Sequence, residues 1–289
     1  MLRVLKPFEY FEPRTVEETI QILSTYGAKA KVLAGGTDLL ILMKREEISP
    51  QYIVNIKNIP ELDYIHYSQE DGLEIGALTT HQSIADSSVI RDKFGLLATA
   101  CSKVGGFQIR NMGTIGGNIC RAGPSQDTIP SLLVLDAKLK LISLQSERVV
   151  PINEFFIAPF QTVLSETELL TEIQIPNPPP RSAGCYQWLT KTTTVDETLV
   201  GVAVLMTSEP ASGLCKDIRI GLCSVAPTPI RARQAEELLR GKKLEDKLVE
   251  QVAQAAADET LPRSRADYRR RLTRVLVKRA ISEAWQRIK

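Results

Sequence analysis

Ala34-Gly35-Gly36-Thr37-Asp38 is the stretch on which the fold turns, and a second glycine-rich segment, Thr114-Ile115-Gly116-Gly117-Asn118, follows eighty residues later. Each places paired glycines after an apolar run, Lys31 to Ala34 in the first case and, more loosely, Ile109 to Ile115 in the second, where a strand is expected to end in a turn. Glycine has no Cβ, so such a turn lets a ligand approach bare backbone. Taken alone, each pair also suits an ordinary tight turn. Two in one chain suggest one ligand gripped twice.

Around the first loop the pattern is that of a β-turn-α-β unit. Residues 1–14 carry spaced aromatics (Phe8, Tyr10, Phe11) and two prolines, an extended packing arm. Thr15-Val16-Glu17-Glu18 is a capping box that opens a helix with Val16, Ile20, Leu23 and Tyr26 on one face and Gly27 as its stop. A short buried strand, Lys31–Ala34, leads into the Gly35-Gly36-Thr37 turn, a helix from Asp38 to Lys44 and a strand from Gln51 to Ile56. Such a turn aims several backbone N–H groups and a helix N-terminus at one spot, which favours an anion such as a diphosphate. Gly-x-Gly-x-x-Gly and Gly-Lys-Ser/Thr are both absent, which disfavours the two common nucleotide sites.

From Leu62 to about Ile175 strand spacing dominates (73–77, 139–144, 169–175), interrupted by a helical segment from Ile90 to Val104. Asp127 lies in a loop, Pro124-Ser125-Gln126-Asp127. Asn177-Pro178-Pro179-Pro180 permits neither helix nor central strand and marks a domain boundary. Beyond it, strands at 199–206 and 218–225 and helices at 229–239, 245–257 and 267–287 predict a small antiparallel sheet of three strands with three helices. The last helix is basic: residues 261–289 hold ten Lys/Arg, Lys289 among them, against Asp267 and Glu283, with Tyr268, Leu272, Val275 and Leu276 as the expected buried stripe.

Composition narrows the chemistry. At 289 residues, with 43% hydrophobic and 24% charged residues, the chain suits two domains with a real core. No run of about 18 apolar residues occurs, and Met1-Leu2-Arg3-Val4 does not open a signal segment, which together read as cytoplasmic with no membrane span. The five cysteines form no Cys-x-x-Cys pair, and Cys215 and Cys223 are expected on successive strands. His66 and His81 are too far apart for one helical turn, so no HExxH-type metal site exists and redox chemistry requires an organic cofactor. The basic helix has no reader motif and no interleaved aromatics, which favours a solvated face or an acidic partner over nucleic acid.

The order of these features resembles the FAD-binding (medium) subunit of the molybdenum hydroxylases, the family of bacterial carbon monoxide dehydrogenase and xanthine dehydrogenase. It is carried by Leu33-Ala34-Gly35-Gly36-Thr37-Asp38-Leu39-Leu40, Ile75 to Thr80, Arg110 to Asn118, Asp127, Glu168-Leu169-Leu170, Gly201 to Val204 and Asp267-Tyr268-Arg269-Arg270, nearly the whole chain. It implies an α+β chain with a vanillyl-alcohol-oxidase (PCMH) type FAD-binding domain over residues 1–177, in subdomains of about 1–58 and 59–177, and a C-terminal domain over 182–289. By position, Val32, Leu33, Ala34, Gly35, Gly36, Thr37, Asp38 and Leu39 are expected to wrap the FAD diphosphate, with Thr114, Ile115, Gly116, Gly117 and Asn118 approaching from the other subdomain. Asp127 is expected on the adenosine ribose side, Val104 along the cleft and Leu170 near the adenine, with side chains at Gly36 or Gly116 obstructing the cofactor.

Two departures concern the flavin ring. Many relatives carry a lysine just after an aromatic in the segment beginning at Tyr186, whereas here Trp188 or Lys191 is expected to take that place, and Glu197 stands where some relatives have a tyrosine. No inserted cysteine segment for an extra iron–sulfur cluster is present. The resemblance further implies an oxidoreductase subunit with no catalytic acid–base residues and no metal of its own. Its partners are a large molybdenum-cofactor subunit and a small subunit with two [2Fe–2S] clusters, as a dimer of heterotrimers. Electrons pass through FAD to NAD, a quinone or oxygen. A stand-alone flavin oxidoreductase of the same fold is the alternative, and a non-catalytic nucleic-acid scaffold a more distant one.

Overall fold

The computed structural model describes residues 4–192, 195–210 and 213–288; Met1 to Arg3 and Lys289 lie outside the described residues. The architecture is α+β. The packing arm forms β1 (Glu9–Phe11), followed by α1 (Val16–Tyr26), β2 (Ala30–Leu33), α2 (Leu39–Lys44) and β3 (Tyr52–Asn55). These strands make a parallel sheet in the order β1-β3-β2. At the start of α1 the Thr15 hydroxyl accepts from the Glu18 amide at 3.1 Å, but the Glu18 carboxylate reaches back to the amide of Arg14, one residue beyond the expected partner. Tyr26 stays with that face, packed against the cluster of Val16, Ile20 and Leu23, and stacks on Tyr52 at 3.9 Å and on Phe11 at 5.4 Å, tying helix to sheet.

The middle of the chain supplies β4 (Ile65–Ser68) and β5 (Gly72–Gly76), then six short helices: α3 (His81–Asp86), α4 (Ser88–Lys93), α5 (Gly95–Lys103), α6 (Phe107–Met112), α7 (Ile115–Arg121) and α8 (Thr128–Val134). The helix expected from Ile90 to Val104 is thus two, broken at Phe94, whose φ of −130° and ψ of 39° are not helical. Then come β6 (Lys138–Ile142), β7 (Glu147–Pro151), a small hairpin of β8 (Phe156–Ala158) and β9 (Gln161–Thr162), and β10 (Leu169–Ile175). An antiparallel sheet in the order β4-β5-β10-β6-β7 buries Leu73, Ile75, Leu139, Leu141 and Ile173 against these helices.

The last third forms β11 (Ser182–Thr190), β12 (Thr198–Ser208), β13 (Cys215–Cys223) and the two-residue β14 (Ile230–Arg231), an antiparallel sheet with one short strand more than expected. The residues of β14 were expected to open the helix that starts only at Arg233. Cys215 and Cys223 lie at the two ends of one nine-residue strand rather than on successive strands, and all five cysteines are free. Helices α9 (Arg233–Leu239), α10 (Asp246–Asp258) and α11 (Ala266–Ile288) cover one face of this sheet. Every residue of β12 is buried because both faces are covered: Val200, Val202, Val204 and Met206 point to the C-terminal helices, and Ala203 and Leu205 to the middle core.

In α11 the buried stripe is Thr273, Leu276, Val277, Ala280, Ile281 and Ala284. Tyr268 and Val275, expected inside, are 48% and 44% exposed. The small residues Ala280 and Ala284 let the helix approach the sheet, and that contact sets the face. Arg274 and Lys278 both engage Glu250, and Arg269 donates to the carbonyls of Leu199 and Ser224, so part of the basic block is spent on the fold. Among the described residues no helix is long and apolar enough to cross a membrane, and no His/Cys/Asp/Glu group is placed to hold a metal ion.

Candidate functional site

A cleft of about 490 Å³ runs between the loop after β2 and the start of α7, walled by the segments before β10. The two glycine-rich segments meet across it. An ideal Cβ on Gly35 would stand 2.2 Å from the Met112 carbonyl oxygen and 2.8 Å from Gly113 Cα, so these backbones touch only because position 35 is bare. Gly36 has φ +77°, the left-handed conformation that turns the chain from β2 into α2.

The two segments differ in what they offer. Among the described residues, none accepts a hydrogen bond from the amides of Gly35, Gly36, Thr37 or Asp38, and all four residues line the cleft. Because α2 has six residues, the unspent amides of the turn, rather than its dipole, are what this loop presents. The second segment is not a turn after a strand. Ile109 to Met112 is helical, and Ile115 to Arg121 is a helix whose N-cap Thr114 accepts from the Gly117 amide at 3.1 Å. The other first-turn amides are also taken: Ile115 by the Thr79 carbonyl and Gly116 by the Ala77 carbonyl, both at 3.0 Å, and Asn118 by the Thr114 carbonyl at 2.9 Å. A side chain at Gly116 would strike Ala77, at 2.7 Å from both its Cβ and its oxygen, before reaching any ligand. The first segment therefore supplies donors, and the second supplies a close wall.

Of the other expected residues, Val32, Ala34, Leu39, Val104, Thr114, Gly117, Asn118 and Leu170 line the cleft. Leu33 and Ile115 do not: Leu33 packs with Met43 and Ile53, and Ile115 is fully buried in the middle core. Lys191 is exposed beyond the end of β11. Trp188 lies on β11 away from the lining, stacked on Tyr186 at 6.2 Å, with the Lys103 Nζ 4.1 Å above its ring.

Asp127 also stands outside the lining. Its Oδ1 accepts from the Tyr186 hydroxyl at 2.6 Å and the Thr198 hydroxyl at 2.7 Å, joining α8 to the C-terminal sheet. Burial pushes its pKa up to about 6; the two hydroxyls oppose this, and Glu197 adds to it. A folded-state pKa above the ordinary value means that the protonated acid favours the fold. That contribution is complete below about pH 4 and is lost as pH rises to about 6, roughly 3 kcal/mol for two pKa units. Asp127→Asn keeps an acceptor for both hydroxyls and removes the titration. Urea unfolding at pH 4, 5 and 6 is therefore expected to show wild type losing stability relative to the variant, and parallel curves would contradict this.

Three residues that were not among the expected cofactor contacts border the cleft. Arg121 sits over the Phe160 ring at 4.2 Å and reaches the Asp38 carboxylate at 3.4 Å, bridging the two segments at the rim. Glu168 is held by Arg148 through two bonds of 2.6 and 2.8 Å and accepts from the Ser165 amide at 2.7 Å; the Arg148 bonds draw its pKa below the usual carboxylate range. His81 faces the cleft beside Gly113. Arg121 sits where only the tertiary fold brings residues 38 and 160 together, and a lone histidine carries no local signal. The donor set, an apolar wall of Val32, Leu169 and Leu170 and the rim cation fit a long ligand with an anionic middle, which the FAD diphosphate satisfies.

Residues 6–178 match the family model described as the FAD binding domain in molybdopterin dehydrogenase, and residues 189–284 match the CO dehydrogenase flavoprotein C-terminal domain. The chain is 34% identical over 286 residues to the carbon monoxide dehydrogenase medium chain of Hydrogenophaga pseudoflava, covering 97% of this chain and 98% of that one. It is 32% identical over 280 residues to the xanthine dehydrogenase FAD-binding subunit of Escherichia coli O157:H7, covering 95% of each. The solved carbon monoxide dehydrogenase from Hydrogenophaga pseudoflava superposes with a TM-score of 0.93 over 99% of both chains at 34% identity. Quinoline 2-oxidoreductase from Pseudomonas putida 86 superposes with a TM-score of 0.92 over 99% of both at 26% identity. With both domain models in order and relatives matched end to end, the chain belongs to the FAD-binding medium subunits of the molybdenum hydroxylases, oxidoreductase components of the carbon monoxide and xanthine dehydrogenase family.

Proposed function

We propose that this chain holds FAD in the cleft between its two glycine-rich segments and relays electrons from the [2Fe–2S] clusters of a small partner subunit to an external acceptor such as NAD or a quinone. The observation that carries the reading is the row of unspent amides at Gly35–Asp38, a neutral donor set built around an anion. Leu169 and Leu170 would cover the cofactor's apolar end, and Arg121 would face its charge at the rim. Bound there, FAD supplies the exchange between single-electron donors and a two-electron acceptor. The protein contributes position, exclusion of water and electrostatics. Asp127, outside the lining, acts through Tyr186 and Thr198 in joining the domains, taken as 1–177 and 182–289.

The name medium chain, which relatives carry, supports partner chains of larger and smaller size; the large one is taken to hold the molybdenum cofactor, and the assembly is proposed as a cytoplasmic dimer of heterotrimers. Purification with whatever subunits accompany the chain, followed by acid release and chromatography, is expected to give FAD together with molybdenum and iron in the complex. A folded, colourless chain that takes up no added FAD would overturn the reading. Turnover of a small substrate by the chain alone would favour a stand-alone flavin enzyme.

A further inference from the structure

His81 opens α3 and is 2% exposed, with its backbone amide bonded to the Gly113 carbonyl at 3.1 Å. Its Nδ1 is fully enclosed and has no partner. Its Nε2 makes no hydrogen bond within the protein and is not among the enclosed atoms, so its open side is the cleft that the residue lines. Cδ2, the carbon bonded to Nε2, lies 3.3 Å from the point where a Gly113 Cβ would stand, and Thr37 Oγ1 lies 3.6 Å from the same point. That edge of the ring faces the meeting place of the two glycine-rich segments.

We propose that His81 is a further cofactor-positioning residue, donating its Nε2–H to the diphosphate of the dinucleotide; this rests on the reading above that the cleft binds FAD. A neutral imidazole carries one N–H and one lone pair. An enclosed N–H without an acceptor is rarer and costlier than an enclosed lone pair, so the proton belongs on Nε2 and the bare lone pair on Nδ1. Burial, with Arg110 nearby, lowers the pKa to about 4, which keeps the ring neutral at ordinary pH. The Arg110 guanidinium is turned to Gln82 Oε1 and the Gly105 carbonyl, each at 3.0 Å. His81 thus adds one neutral donor to the unspent amides of Gly35–Asp38.

The test compares wild type, His81→Phe and His81→Gln for FAD affinity by flavin fluorescence, with ADP and adenosine as competitors. One hydrogen bond to a charged acceptor predicts FAD and ADP binding roughly ten- to hundredfold weaker in His81→Phe, adenosine binding unchanged, and most of the loss restored by the amide N–H of His81→Gln. In wild type carrying 15N-labelled histidine, the Nε2–H tautomer is expected, with a shift of its Nε2 signal on adding ADP but not adenosine. Unchanged FAD affinity in His81→Phe, equal weakening of ADP and adenosine, or an Nε2 signal indifferent to ADP each overturns the proposal. Absence of FAD binding by wild type would instead remove the reading beneath it.

Discussion

Gly35→Ala is expected to weaken FAD binding by up to about 100-fold, with a lower thermal midpoint for the ligand-free protein. The added Cβ would stand 2.2 Å from the Met112 oxygen, 2.8 Å from Gly113 Cα and 2.9 Å from the Met112 carbon, all backbone atoms with no rotamer to yield. The loops must separate, which moves the unspent amides away from the wall they oppose. Overpacking costs about 1–3 kcal/mol, and at about 1.4 kcal/mol per decade the upper value corresponds to 100-fold. Fluorescence titration measures the affinity and differential scanning calorimetry the stability. A Gly35→Ala protein that binds FAD as wild type does would show that the contact between loops is not part of the site.

Glu236→Ala is expected to destabilise the protein by about 3–5 kcal/mol, far from the cleft. The Glu236 side chain is 1% exposed and is held by Arg231 through bonds of 2.9 and 2.8 Å, while its Oε1 also accepts from the Ile220 amide at 2.8 Å. Truncation leaves a guanidinium only 7% exposed with the half-exposed Asp136 as its remaining carboxylate, and it orphans the amide on β13. Replacing Arg231 and Glu236 together with methionine removes both charges and is expected to cost much less. Urea midpoints for the three proteins decide it, and an alanine variant within about 1 kcal/mol of wild type would contradict the argument.

The parts legible in the sequence were those whose state is set locally. The unit of α1, β2, the glycine turn and β3 was read to within a residue or two because Thr15, Gly27 and Gly36 act on their own backbones. The second segment was read as a turn because glycines after Ile115 look like a strand end. It is a helix because Thr114 caps it and Ala77 and Thr79, more than thirty residues earlier, take its first amides. The stripe of α11 was read from apolar spacing and holds for Leu272 and Leu276, whereas Tyr268 and Val275 face out and the docked face continues through Ala280 and Ala284, which allow close approach to the sheet. Strand length misled for Cys215 and Cys223, since hydrophobic content cannot show that β13 continues through both.

The sequence by itself determined the α+β class, the first glycine turn between strand and helix, the C-terminal helices and, through motif order, the family. Only the tertiary structure decided which loop holds free donors, that Asp127 is bound by Tyr186 and Thr198, and that His81 faces the cleft. The physical reason is hydrogen-bond accounting. Whether an amide, a carboxylate or an imidazole is spent on the fold or left for a ligand depends on partners far away in the chain, and no local pattern encodes them.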